Sequence, residues 1–143
     1  MFKNRLVNIM LIVLVGMTLV GVMALVLYTQ FFEAADPDAE PTIDEVIELS
    51  IETEEITTNL LSNHVIRSQF VIQTDNRHAR SELEKRNFQV ENIIIRELSD
   101  MRESDFQGSD GIRNLEEQIR YEINQIMQDG HVVEVYMSTR VVQ

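Results

Sequence analysis

No cysteine occurs in the 143 residues of this chain. That excludes disulfides, thiol catalysis, a CxxC redox or zinc motif, and a lipid anchor on an N-terminal cysteine. G-x-S-x-G, P-loop and GxGxxG patterns are also missing, so the sequence motifs of α/β-hydrolases, P-loop nucleotidases and dinucleotide enzymes are not here. The three histidines, His64, His78 and His131, are widely separated. His78 has an acid at helical spacing, Glu82, an ordinary surface pair. Glu54–Glu55 and Glu116–Glu117 imitate acid/base dyads. Neighbours in a helix do not face each other, so Glu116–Glu117 reads as a solvated face. Ser104 and Ser109 lie near acids in a turn, where serines bond the backbone. The expectation is a protein with no catalytic residues, no metal and no cofactor.

Charge is missing from one long stretch. Leu6 to Tyr28 is 23 residues without an ionisable acid or base. As a helix it is about 34 Å long, enough for a hydrocarbon core of about 30 Å with some tilt. Lys3 and Arg5 precede it, and no base occurs between Glu33 and Glu55. By the positive-inside rule the N-terminus is cytoplasmic and the rest extracytoplasmic. A cleaved signal is the alternative, but its apolar region is shorter and ends in a small-x-small site. The exit here, Tyr28-Thr29-Gln30-Phe31-Phe32-Glu33-Ala34-Ala35, has none, so the segment reads as a retained anchor. Tyr28, Phe31 and Phe32 suit the outer interface. Gly16 and Gly21 are five apart and form no GxxxG face. Asn8 and Thr18 either bond a neighbouring helix or are simply tolerated, and no charged residue in the span marks an ion path.

Bases are scarce beyond the span: 10 against 24 acids. Ten of those acids fall between Glu33 and Glu55, so the acidity belongs mostly to a stalk. Such a chain does not bind nucleic acid electrostatically, and the stalk is repelled by anionic headgroups. Both prolines lie in Glu33–Pro41, which reads as an extended linker. The expected organisation is a cytoplasmic N-terminus at 1–5, a transmembrane helix at 6–28, an acidic linker at 29–42 and one domain at 43–143, long enough to bury a core unaided.

Within that domain, Thr42-Ile43-Asp44-Glu45 has capping-box spacing, followed by one or two helical turns. Ser50 to Leu61 is weaker, with a strand near Ile56–Asn59. His64–Thr74 is a clear strand with Ile66, Phe70 and Ile72 on one face and Val65 and Val71 on the other. A charged stretch, Asp75–Arg86, reads as a surface helix anchored by Leu83. Val90, Ile94, Leu98 and Met101, widened by Ile93 and Ile95, mark a second helix over Phe88–Met101; whether the two are continuous is open. After a turn at Asp105–Gly111, Ile112, Leu115, Ile119, Ile123 and Ile126 mark a third, with Gly130 suited to a left-handed C′ position. His131–Val142 reads as a long strand with Val133, Val135, Met137, Thr139 and Val141 on one face and Val132, Tyr136 and Val142 on the other. This last strand ends the chain, so a C-terminal fusion is expected to be poorly tolerated. The sum is an α+β fold: one N-terminal transmembrane helix, then a small domain with a mainly antiparallel sheet and about three helices. Apolar residues on both faces of the first and last long strands exceed what a one-sided sheet needs. Either copies or a partner pack on the second face, or the chain's own early segment covers it.

The pattern Asp105-Phe106, Gly111, Leu115, Ile119, Ile123-Asn124, Ile126, Gly130, Val132, Val135-Tyr136-Met137 and Val141-Val142-Gln143 resembles the FliL family of flagellar basal-body-associated membrane proteins. Thr58-Asn59-Leu60 before the first clear strand and the single span with its acidic linker resemble it too. The architecture matches throughout, specific residues over about a third of the chain. Met137 and Ser138 stand where the family often has Phe and Thr, and Phe88 where it often has Pro. The resemblance implies a non-enzymatic flagellar motor accessory protein in the cell membrane at the basal body. It would bind and stabilise ion-driven stator units, support rotation, swimming or swarming, and carry an outer domain similar to stomatin/prohibitin (SPFH) domains that assembles into a homo-oligomeric ring. A non-flagellar SPFH-like membrane scaffold is the alternative. Neither nucleic acid nor a small-molecule substrate is expected. Contacts to a stator would fall to the stalk and the first elements after it, at Ile47, Ile56, Asn59 and Leu60, with Val135 among the partner-contact residues as a site of self-contact.

Overall fold

The computed structural model describes residues 4–31 and 39–143. Lys3, Phe32 and the linker acids Glu33, Asp36 and Asp38 lie outside the described residues, as does the side chain of Phe31. The chain divides into two compact units, 1–40 and 41–143.

In the first unit, Arg5–Phe31 is one continuous helix, α1, of 27 residues. It is apolar on every side and long enough to cross a membrane. The Thr18 hydroxyl donates to Val15 O at 2.8 Å and that of Thr29 to Val26 O at 3.0 Å. Both therefore satisfy themselves within the helix.

In the second unit the elements run α2 (Ile43–Glu48), β1 (Ser50–Glu52), β2 (Ile56–Asn59), β3 (Val65–Thr74), α3 (Arg77–Lys85), α4 (Asn87–Ser99), a 3-10 turn (Glu103–Phe106), α5 (Asp110–Ile126) and β4 (Val132–Val142). The fold is α+β, with four antiparallel strands and four α-helices where three were expected. The fourth is α2. Thr42 caps it as its spacing predicts: Thr42 N donates to Glu45 Oε2 at 2.8 Å, and Glu45 N donates back to the Thr42 hydroxyl. β1 comes from the stretch where periodicity was weak. Arg86 ends α3 and begins α4, its N–H bonded to Glu82 O and Leu83 O, so the two helices are separate.

β3 is the centre of the sheet. β4 runs along one side; β1 and β2 share the other, opposite Val71–Gln73 and Val65–Ser68. Thr53 bridges the gap between them, its N–H donating to Phe70 O and its hydroxyl accepting from Phe70 N. Ile66, Phe70 and Ile72 of β3 are buried against Leu83, Val90, Ile94, Leu98, Leu115, Ile119 and Ile123 from the helices. α5 lies on β4, α4 on β2 and α3 on β1 and β3, so the long helices cover one face of the sheet.

β4 departs from simple alternation. Gln73 pairs with Glu134 but Thr74 with Val132, and Gln69 pairs with Thr139 but Phe70 with Met137. Val133 and Ser138 are thus extra residues in two β-bulges, and each reverses the side-chain parity. Val132, Val135, Met137 and Val142 therefore all join the core, although strict alternation separates Val132 and Val142 from the other two. The second bulge also puts Arg140 at the rim of the helical side, where it donates to Phe106 O at 2.9 Å and lies 5.9 Å from the Phe106 ring centre.

The free edge of β4 is occupied by α5 side chains. Asn124 donates to Val132 O at 3.0 Å and accepts from Val132 N at 2.7 Å. Arg120 donates to Val133 O, and Glu116 accepts from Met137 N at 2.8 Å. α5 ends at Ile126 and Met127 is extended, so Gly130 is not the helix C′ residue. It has φ +133° in the following turn, and a Cβ there would strike Asn76, Asp75 and Ala79 at the start of α3. Close approach, as well as φ, requires glycine.

Candidate functional site

The face of the sheet away from α3, α4 and α5 is built from alternate residues of each strand. Cross-strand rows place Glu52, Val71 and Tyr136 side by side, then Ser50, Gln73 and Glu134. Toward the other end come Gln69–Thr139 and Thr57–Arg67–Val141. Two weak side-chain bonds cross this face, Tyr136 Oη to Gln73 Oε1 at 3.5 Å and Thr139 Oγ1 to Gln69 Oε1 at 3.4 Å. Arg67 pairs with Glu55 at 3.7 Å.

At the β1 end, α2 stands beside this face and makes a groove of about 540 Å³ lined by Ile43, Val46, Ile47, Ser50, Glu52, Val71 and Tyr136. Its walls are mostly hydrocarbon. Ile43 is 71% exposed and Ile47 66%, because a helix of six residues buries none of its side chains fully. Ser50 ties α2 to β1 by donating to Val46 O at 2.5 Å. The surroundings are acidic: Asp44, Glu45, Glu48 and Glu52 belong to these two elements, with no base among them. Glu48 is held by Arg77 at 2.6 Å.

The residues proposed from sequence as partner contacts separate into two groups. Ile47 lines the groove and Asn59 is exposed at the end of β2. Ile56 is 5% exposed, Leu60 3% and Val135 2%. These three are core residues, and no partner reaches them while the domain is folded. Ile56 on β2 and Leu60 just after it pack into the core, and Val135 pairs with Ile72 beneath α5. Ile43, Val71 and Tyr136 were not singled out as contacts. The signal that finds them is the incomplete burial of large apolar side chains on α2, β3 and β4.

A second hollow, about 520 Å³, lies between α4, the 3-10 turn and α5, lined by Glu97, Met101, Asp105, Gly111, Asn114, Leu115 and Gln118. Burial, with Glu122 and Asp100 nearby, pushes the Glu97 carboxyl above its ordinary range, partly offset by Arg96. Asp105 is committed to the turn, accepting from Arg102 N at 2.7 Å. The hollow is open and half polar, and these carboxylates do not form an acid/base pair with a nucleophile. His64 lies 3.2 Å from Glu103 and His131 3.1 Å from Asp75, pairings that sequence spacing hides. Among the described residues no group of three His, Cys, Asp or Glu side chains gathers as a metal site would require.

The second unit is a small α+β domain with an exposed apolar groove, and comparison with known proteins gives its family. The family model described as "Flagellar basal body-associated protein FliL" matches residues 50–143. The "Flagellar protein FliL" of Bacillus subtilis (strain 168) is 36% identical over 102 residues, which cover 71% of this chain and 73% of that protein. The matched region takes in the whole sheet and the helices that cover it. The chain belongs to the FliL family of flagellar basal-body-associated proteins, which are accessory proteins and not enzymes.

Proposed function

We propose that this protein binds stator units of the flagellar motor and stabilises their active state, supporting rotation, swimming or swarming. In this reading residues 1–5 are cytoplasmic, 6–28 span the membrane, 29–42 bridge the gap, and 43–143 form an extracytoplasmic domain whose copies assemble around the stator. Family membership carries the reading. The apolar helix α1, with Lys3 and Arg5 ahead of its apolar run, supports the anchor and its direction. Action is by binding alone, so the protein shifts the stator's equilibrium only by its difference in affinity for the two states.

The experiment is a strain lacking residues 43–143 but keeping the anchor. Flagella should assemble normally, while torque under load and swarming fall. Unchanged swarming and motor speed would sink the proposal.

A further inference from the structure

We infer that the groove between α2 and the open sheet face docks an amphipathic segment carrying Lys or Arg beside its apolar side chains. This rests on the stator reading only for where the segment comes from.

The groove is a contiguous apolar surface: Ile43 and Ile47 on one side, Val71 and Tyr136 on the other, with Tyr136 46% exposed. Exposed apolar surface of this kind, rimmed by polar groups, marks an interaction site. Its floor is the face of a paired sheet, since Glu52, Val71 and Tyr136 lie on three hydrogen-bonded strands. An occupant therefore docks through side chains laid into a groove and not by adding a strand.

Charge selects among occupants. From Thr42 to Glu55 there are six acids and no base. Glu48 and Glu55 are neutralised by Arg77 and Arg67, and Glu45 is engaged by Thr42. Asp44, Glu52 and Glu54 have no ion pair among the described residues. Glu52 itself lines the groove, and Asp44 is the exposed acid next to Ile43 in α2, beside the groove and not in its lining. A second copy presenting this surface would set these acids against their own kind, which disfavours it. Anionic headgroups are repelled for the same reason. A base-bearing amphipathic segment fills the hydrocarbon walls and compensates the free carboxylates.

The test uses the full chain in motile cells. A photo-crosslinking residue replaces Ile47 or Tyr136, one at a time, with Phe88 on α4 as a control, being 71% exposed on a different element. Adducts are sequenced by tandem mass spectrometry. The expected result is one segment captured from both groove positions and not from Phe88, with aliphatic residues and at least one Lys or Arg in the captured stretch. A double charge reversal, Asp44→Lys with Glu52→Lys, should cut its yield about tenfold without shifting the melting temperature. Capture of lipid, of a second copy or of an acidic or uncharged segment overturns the inference, as does no capture or a yield unmoved by the reversal. A base-bearing segment from a protein other than a stator unit sustains the inference and counts against the stator reading. Stator capture from Phe88 alone does the opposite.

Discussion

Glu82 and Asp129, 47 residues apart, are joined by a 2.7 Å hydrogen bond from the Asp129 N–H to the Glu82 carboxylate. Gln128 N–H and the Arg86 guanidinium reach the same group. The carboxylate of α3 thus holds the turn that carries the chain from α5 into β4. Burial alone raises its pKa; the backbone N–H groups of Asp129 and Gln128, with Arg86, more than reverse this and hold it below the ordinary Glu range. A lowered native pKa means that the bonus is present above the unfolded value of about 4.3 and is lost as pH falls through the lower native value. Glu82→Gln should cost about 3 kcal/mol near neutrality, because it also strands a half-buried Arg86. The gap between variant and parent should close in acid. Thermal unfolding of the full chain in nanodiscs from pH 7 to 3 measures it, and a pH-independent gap refutes it.

Glu97 should behave in the opposite sense. Its pKa is raised by burial and by Glu122 and Asp100, so its ionisation works against the folded state. The Glu97→Gln variant should match the parent at low pH and melt higher than it as pH rises past the ordinary Glu range. A variant that melts lower at pH 7 means the carboxylate has a supporting role in the α4–α5 hollow.

Ser68 lies between Ile66 and Phe70 on the core face of β3, fully buried, and its hydroxyl has no hydrogen-bond partner among the described residues. Ser68→Ala should stabilise the domain by about 1 kcal/mol, read as a rise of several degrees in melting temperature. A fall instead shows that the hydroxyl is satisfied, for example by a buried water.

Asn124 occupies both backbone groups of Val132. Replacing it with Leu keeps the bulk and removes both bonds, so about 2 kcal/mol should be lost. Amide hydrogen exchange should locate the loss: protection falls first at Val132 and its neighbours on β4, and a uniform fall across the domain contradicts this.

At Gly130 both φ and space are restrictive. Gly130→Ala should cost at least about 2 kcal/mol, combining an unfavourable backbone with displacement of Asn76 from its capping bond to Ala79 N. Gly16→Ala, where nothing crowds the position, should leave the melting temperature unchanged.

Much of this fold was legible because its signals are local. The capping box at Thr42, the alternation in β3 and the Leu115–Ile119–Ile123 stripe of α5 each lie within a few residues and reappear as expected. The bulges of β4 were not legible, because no local pattern marks Val133 and Ser138 as extra residues; only pairing with β3 does. Their effect reached the site. Counting by twos leaves Val132 and Val142 on an outer face and makes the last strand look apolar on both sides, which drew Val135 into the contact set. Ile56 and Leu60 entered it for their place after the stalk, yet position along the chain says nothing of which face a residue takes. Ile47 too was placed by its position after the stalk, and it stays exposed because α2 has only six residues and buries none of its side chains fully. Tyr136 and Val71 come together only through a register set by residues 65 apart in sequence.

Glu116, Arg120 and Asn124 bear a last consequence, at the scale of many copies. An anchored domain is confined to a plane, where neighbours meet often and in nearly fixed orientation. A bare outer strand in such a crowd templates runaway stacking of sheet on sheet. With its peptide groups engaged by the molecule's own helix at three points, β4 offers no such template. At those three points a neighbouring chain meets side chains instead of an open row of peptide groups.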